Sequence, residues 1–325
     1  MPAPTPLVSI VTPAYNEEEH LHECIDSVLS QTYSNWEYTI VNNSSKDGTK
    51  AIAEKCAAKD SRIRVITNST TIPAIQNFNF ALGQISSASK YCKMVLADDW
   101  MFPECIERMV AVMEEHPTAG VVGAYGLKHR WVLWAGMPYP DNFVSGRKIC
   151  QERLLGGPYI FGSQSSVLYR SDLVRSHNPF FHEANIHADS EACMKLLRDS
   201  DFGFVHQVLT FSRDDRPNSL LQASRQLNTN AAAFLYELVT YGPYYLSSEE
   251  YADAMKRTVE GYYEFLGTSF LQRRNRKFWD FHKKELKDAG IEFKYSAVAR
   301  ALVRMYRREF RRIRKRSYWG VVPQG

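Results

Sequence analysis

Tyr91-Cys92-Lys93-Met94-Val95-Leu96-Ala97-Asp98-Asp99-Trp100 is an apolar run that ends in two adjacent carboxylates. Its first six residues have the length and composition of a buried strand. Acids at the end of such a strand are costly to bury unless a cation or hydrogen-bond donors compensate them. Hard divalent ions such as Mg²⁺ and Mn²⁺ take oxygen ligands, commonly one or two carboxylates completed by substrate phosphate oxygens. The pair therefore points to a metal–nucleotide site. The competing reading is a helix N-cap ahead of Pro103.

The residues on either side of this run carry the same α/β pattern. Leu7-Val8-Ser9-Ile10-Val11 reads as a buried strand. Asn16 reads as the N-cap of a helix with Glu17, Glu18 and Glu19 in its first turn, where carboxylates favour the helix dipole. Leu21, Ile25, Val28 and Leu29 give that helix one apolar face. Residues 36–41 and 63–66 read as further strands, and residues 51–58 and 73–85 as helices. Near-continuous apolar strands alternating with helices imply a mostly parallel sheet flanked by helices. Ligands bind beyond the carboxyl ends of such strands. Residues 12–15, 42–47, 67–72 and 97–100 should therefore line one crevice.

Past Pro103 a helix runs to residue 115, and residues 120–125 form a strand. Residues 127–162, rich in aromatics, Gly and Pro, read as loops over the sheet. Residues 165–169 and 203–211 read as strands and residues 189–197 as a helix; beyond Asn218 the pattern is helical. The expected division is a nucleotide-binding α/β domain over residues 1–217 and a helical extension over 218–325.

The 325 residues contain six scattered cysteines without C-x-x-C spacing, which read as reduced core thiols of a cytoplasmic protein. No secretion signal opens the chain, and no stretch approaches the roughly 18 apolar residues of a membrane span. Nine basic residues and one acid fall between Arg300 and Arg316, against +4 for the whole chain, so the rest is net acidic. Val298, Leu302, Met305, Phe310 and Ile313 recur there at helical spacing. The segment 298–316 reads either as a peripheral contact with an anionic membrane or as a packed terminal helix with a solvated basic face. No nucleic-acid-binding motif or wider basic face accompanies it.

Four segments together resemble family 2 glycosyltransferases. They are Val8-Ser9-Ile10-Val11-Thr12-Pro13-Ala14-Tyr15-Asn16-Glu17, Ser27-Val28-Leu29-Ser30-Gln31-Thr32-Tyr33, Val41-Asn42-Asn43-Ser44-Ser45-Lys46-Asp47-Gly48-Thr49, and Ala97-Asp98-Asp99. Their order and spacing agree with the family, and Asp189 with the helix after it fits the later catalytic acid. The resemblance covers about residues 5 to 215. It implies a GT-A fold that is Rossmann-like, a nucleotide-diphospho-sugar donor (UDP-linked by analogy), Mg²⁺ or Mn²⁺, and inverting transfer to a glycan or lipid-linked acceptor. Surface polysaccharide or glycolipid assembly would be the setting.

By position, Asp99 is the metal ligand and Asp98 lies near ribose or metal. Thr12, Pro13, Ala14 and Tyr15 border base and ribose, and Asn43 stands where an acid commonly contacts the base. Asp189 is the general base, with Glu191 its competitor. Two motifs depart from the family: Asn42-Asn43 replaces Asp-Asp, and Gln76-Asn77 replaces Arg-Asn. A cation for the diphosphate would then come from elsewhere, Arg170 or Arg213. An inactive nucleotide- or glycan-binding protein of the same fold is the alternative. A sugar nucleotidyltransferase would carry a glycine-rich loop where Thr12-Pro13-Ala14-Tyr15 stands.

Overall fold

A computed structural model describes residues 5–213 and 220–318, which fall into two compact units, Met1–Leu220 and Leu221–Gly325. In the first unit the strands are β1 (Val8–Ala14), β2 (Trp36–Asn42), β3 (Ile63–Thr67), β4 (Tyr91–Met94) and β5 (Trp100–Met101). They continue with β6 (Ala119–Lys128), β7 (Trp131–Leu133), β8 (Phe143–Val144), β9 (Leu168–Arg170) and β10 (Asp201–Phe211). One sheet joins them in the order β3-β2-β1-β4-β9-β6-β10-β5, with β7 on β6 and β8 on β10. Its helices are α1 (Leu21–Leu29), α2 (Thr49–Ala57), α3 (Ala74–Leu82), α4 (Cys105–Glu115), α5 (Gly146–Leu154), α6 (Ser171–Arg175) and α7 (Ala188–Leu196).

The parallel register pairs Val8 with both Trp36 and Tyr91, and Tyr38 with Ile63. The carboxyl ends of β1 to β4 therefore emerge along one edge, as the apolar strand pattern predicts. Every residue of β1 is buried, and Ile10, Tyr38 and Ile40 pack with Ile25 and Val28 of α1 and Met109 of α4. None of the six cysteines forms a disulfide, and five of them are buried.

Three local expectations are corrected. Helix α1 starts at Leu21, not after Asn16. Asn16 has φ 53°, its N–H donates to Ser45 Oγ, and its Oδ1 accepts from Lys46 N. It ties two loops together instead of capping a helix. Residues 164–166 form a 3₁₀ turn, so the strand expected over 165–169 shortens to β9. Residues 127–162 contain β7, β8 and α5, the last capped by Ser145 Oγ accepting from Lys148 N.

The second unit is helical: α8 (Leu220–Leu227), α9 (Asn230–Tyr245), α10 (Ser248–Leu271), α11 (Arg276–Asp288) and α12 (Tyr295–Tyr318). Ser247 and Glu250 form a reciprocal capping box at the start of α10. Leu235, Tyr262, Leu266, Phe278, Leu286, Val298 and Ala301 form its core. Of the apolar stripe on the last helix, Val298 is buried in this core. Leu302 lies against Gly267, and Met305 Sδ is 4.0 Å from Thr268 Oγ1. Arg304 and Arg308 pair with Glu264 of α10. Through Met305 the stripe is therefore spent on internal packing, as the packed-helix reading expects; the side chains of Phe310 and Ile313 lie outside the described residues. Among the described residues no helix is long and apolar enough to cross a membrane.

His282 is fully buried in this unit; Nδ1 accepts from Tyr262 Oη at 2.6 Å and Nε2 donates to the Leu227 carbonyl at 2.8 Å. Burial lowers its pKa to about 4, with the Arg274 charge adding and the Leu227 hydrogen bond opposing. A depressed histidine pKa supplies stability above the unfolded value of about 6.5 that is lost as pH falls toward the folded value. Hydrogen exchange over residues 262–286 is expected to accelerate as pH falls from 6.5 to 4, after correction for intrinsic rates, corresponding to about 3 kcal/mol. His282→Leu should abolish that dependence and destabilise the unit by about 1–3 kcal/mol at pH 7, because Tyr262 Oη and the Leu227 carbonyl lose their partner.

Candidate functional site

After β4 the chain turns sharply, with the Asp99 N–H donating to the Leu96 carbonyl, and β5 then pairs antiparallel with the end of β10. Trp100 stacks on Phe211 at 5.0 Å between ring centres, which locks this turn. Asp99 is thereby pulled inward and is 4% exposed, while Asp98 is half-buried. Asp99 Oδ2 accepts from Ser165 Oγ at 2.6 Å and from Ser212 Oγ at 3.4 Å, and Oδ1 accepts from Arg213 N at 3.3 Å.

Burial pushes the Asp99 carboxyl up to about 7, with the adjacent Asp98 charge adding and these hydrogen bonds opposing. Burial raises Asp98 too, against the charges of His20, Arg213 and Lys128. Two neighbouring carboxylates held above their ordinary range fit a divalent cation, whose charge would stabilise the ionised form of both. Among the described residues no cluster of three His, Cys, Asp or Glu side chains could hold a metal by itself. The donor set thus suits a hard ion whose remaining ligands come from substrate oxygens or water.

The strand ends beside the acids are cross-tied. Thr12 is fully buried, donating from Oγ1 to the Val95 carbonyl at 2.8 Å and accepting from Tyr38 Oη at 2.8 Å. Its hydroxyl binds β1 to the segment leading into Asp98. Pro13 and Ala14 are also buried, which leaves Tyr15, 42% exposed, as the accessible side chain of that quartet.

Asn43 is buried, and its N–H donates to the Ala14 carbonyl. Its Nδ2 donates to the Ile72 carbonyl at 2.8 Å, and its Oδ1 accepts from Ile72 N at 3.0 Å and Asn68 Nδ2 at 2.9 Å. The amide thus forms a two-point pair with the backbone of the loop after β3, which a carboxylate could not form because it has no donor. This explains in part the departure from Asp at that position. Asp47 shapes a turn, accepting from Glu18 N and from Thr49 N and Oγ1.

Asp189 is half-buried in the first turn of α7, with Oδ1 accepting from Ser190 N, and it lies close enough to the buried Tyr169 to help raise that phenol's pKa. Its competitor Glu191 is committed to loop structure, accepting from Asn185 Nδ2 at 2.8 Å with His182 Nδ1 at 3.5 Å. Gln76 donates to Glu183. Of the two candidate cations, Arg170 pairs with Tyr91 at the amino end of β4 and bonds Asp172, away from the carboxyl ends. Arg213 instead puts its backbone on Asp99, its charge near Asp98, and its guanidinium on Glu23. Ser165, Ser212 and His20 join the acids without a sequence signal of their own; only the serine-rich run Ser163-Gln164-Ser165-Ser166 hints at a polar turn.

Sheet order, crossing helices and a carboxylate pair at the end of β4 fit a GT-A fold. The model of glycosyl transferase family 2 matches residues 9–156. EpsE of Bacillus subtilis (strain 168), named as a glycosyltransferase, is 31% identical over 252 residues, 71% of this chain and 86% of that protein. The chain belongs to glycosyl transferase family 2. It is also 27% identical over 247 residues to an Escherichia coli protein, covering 72% of this chain and 92% of that one. That relative is WfgD, a UDP-Glc:alpha-D-GlcNAc-diphosphoundecaprenol beta-1,3-glucosyltransferase. Two solved structures share the fold. S. aureus TarS 1–349 in complex with UDP-GlcNAc has a TM-score of 0.65 at 18% identity, covering 87% of this chain and 80% of that one. The Pyrobaculum calidifontis mannosyltransferase PcManGT, with GDP-Man and Mn²⁺, has a TM-score of 0.53 at 14% identity, covering 89% and 87%.

Asn43→Ala should remove both partners of the Ile72 backbone. The Ile72 amide is expected to exchange roughly tenfold faster or more, with a stability loss of about 1–3 kcal/mol. An unchanged Ile72 exchange rate would show that the loop is held by other contacts.

Proposed function

We propose that this glycosyltransferase moves a sugar from a nucleotide-diphospho-sugar, UDP-linked, to an acceptor hydroxyl with inversion at the anomeric carbon. The carrying observation is the Asp98–Asp99 pair, both raised by burial, at the end of β4. Bound there, Mg²⁺ or Mn²⁺ would neutralise the charge that develops on the leaving diphosphate. Asp99 is the ligand in this reading, and Asp98 lies beside the metal or ribose. Thr12, Pro13, Ala14 and Tyr15 form the base and ribose border, with Tyr15 offering its exposed ring. Asn43 acts on the base through the Ile72 loop that it holds. Arg213, next to the acids, replaces the missing Arg of α3 as the cation facing the diphosphate.

Asp189 accepts the proton of the acceptor hydroxyl, since a neutral alcohol is a weak nucleophile. The engagement of Glu191 with Asn185 and His182 favours Asp189 over it. A UDP donor is supported by the UDP-GlcNAc complex of TarS and by the UDP-Glc specificity in the name of WfgD. The diphosphoundecaprenol acceptor in that name supports a glycan or lipid-linked acceptor and a setting in polysaccharide or glycolipid assembly.

Calorimetric titration with UDP is expected to show binding with Mn²⁺ that EDTA abolishes or weakens at least tenfold. Asp99→Asn should lose the metal-dependent part. Asp189→Asn should bind UDP as the wild type does, yet transfer sugar at least 100-fold more slowly, the scale of a lost general base. Transfer by Asp189→Asn at near-normal rate would assign the base to another group. Metal-independent UDP binding would reject the metal-site reading, and a preference for GDP would reject the UDP donor.

A further inference from the structure

Lys93 lies in the middle of β4, fully buried, and takes no part in the chemistry above. An ammonium has three protons to donate, and here three acceptors meet it. They are the Ser165 carbonyl at 2.7 Å, the Val167 carbonyl at 3.1 Å and Met109 Sδ at 3.8 Å. The first two bracket the end of the 3₁₀ turn Gln164–Ser166. A hydrocarbon in place of the lysine would leave both buried carbonyls short of a donor. The lysine therefore braces this turn from inside the sheet.

What the turn carries is specific. Ser165 is fully buried; its Oγ accepts from Leu96 N at 3.0 Å and donates to Asp99 Oδ2 at 2.6 Å. A hydroxyl has a single proton, so with Leu96 as its donor partner the Ser165 proton is committed to Asp99. Oδ2 is thereby fixed, and among the described residues Oδ1 keeps only the longer Arg213 N–H contact at 3.3 Å. The neighbouring Ser166 accepts from Trp134 Nε1 at 3.1 Å and shares protons with Thr210 and Ser163. That second set of bonds holds the turn from its other side.

We infer that Lys93 and Ser165 are positioning residues for the metal-binding acid. Lys93 fixes the turn, and Ser165 orients the Asp99 carboxylate so that Oδ1 faces the cation. This rests on the metal-site reading of Asp98–Asp99 given above. Groups that orient a metal-binding side chain commonly affect metal affinity about 10–100-fold. A merely structural serine would affect stability alone.

The test is calorimetric titration of Mn²⁺ into the full chain with saturating UDP, for the wild type, Ser165→Ala and Lys93→Met, each with a melting curve in EDTA. Ser165→Ala is expected to keep a cooperative melting transition above the assay temperature and to bind Mn²⁺ about 10–100-fold more weakly. Lys93→Met should move in the same direction; if it does not fold, Ser165→Ala carries the test by itself. Ser165→Ala that melts earlier but binds Mn²⁺ within twofold of the wild type would overturn the inference while leaving the metal site intact. A wild type whose UDP binding ignores Mn²⁺ would overturn the metal-site reading and this inference together.

Discussion

The adjacent carboxylates Asp98 and Asp99 must be held at the end of a buried strand, and much of the first unit follows from that constraint. A carboxylate 4% exposed persists only where donors or a cation offset its lost hydration. Here the donors come from the turn before β9 and from the end of β10, both delivered by the sheet. The sheet order places β9 beside β4 and β5 beside β10, which lets those two distant segments reach the same side chain. What the donors leave incomplete is the charge itself, and burial beside Asp98 keeps the Asp99 carboxyl raised to about 7.

A second theme is the use of neutral side chains where charge might be expected. Asn43 clamps the Ile72 backbone through both ends of its amide, and Thr12 ties β1 to the approach to Asp98 through one hydroxyl. These bonds tie the crevice floor together within the chain itself, and a floor tied in advance needs less ordering on binding. Of residues 12–15, Tyr15 alone presents an exposed side chain, and Asp98 beside them is half-buried.

How much was legible in the sequence varied with the range of the interactions involved. The four parallel strands were readable because buried strands carry their own apolar signature, and β1 to β4 appear close to the expected residues. Asn16 reads as a helix cap from its own neighbours, whereas its left-handed φ and its bonds to Ser45 and Lys46 arise from a loop 29–30 residues away. Ser165 reads as strand because its neighbours are apolar or small, whereas its hydroxyl bonds to Leu96 and Asp99 accompany a 3₁₀ turn there. In the last helix the stripe of Val298, Leu302 and Met305 has the same period for a membrane contact as for a packed helix. Only the opposing surface of α10 decides between them for the described residues.

By itself the sequence determined the strand–helix alternation, the parallel edge where the loops gather, and the family, since these rest on local periodicity and on motifs within short spans. Tertiary structure alone decided which atoms surround the acids. The donors to Asp99 lie 66, 113 and 114 residues away in the chain, beyond the reach of any local pattern. Folding brings them together because the sheet aligns backbone ends, whichever residues those ends carry. The electrostatic state of Asp98 and Asp99 is therefore a property of the packed sheet, although the residues themselves are plain in the sequence.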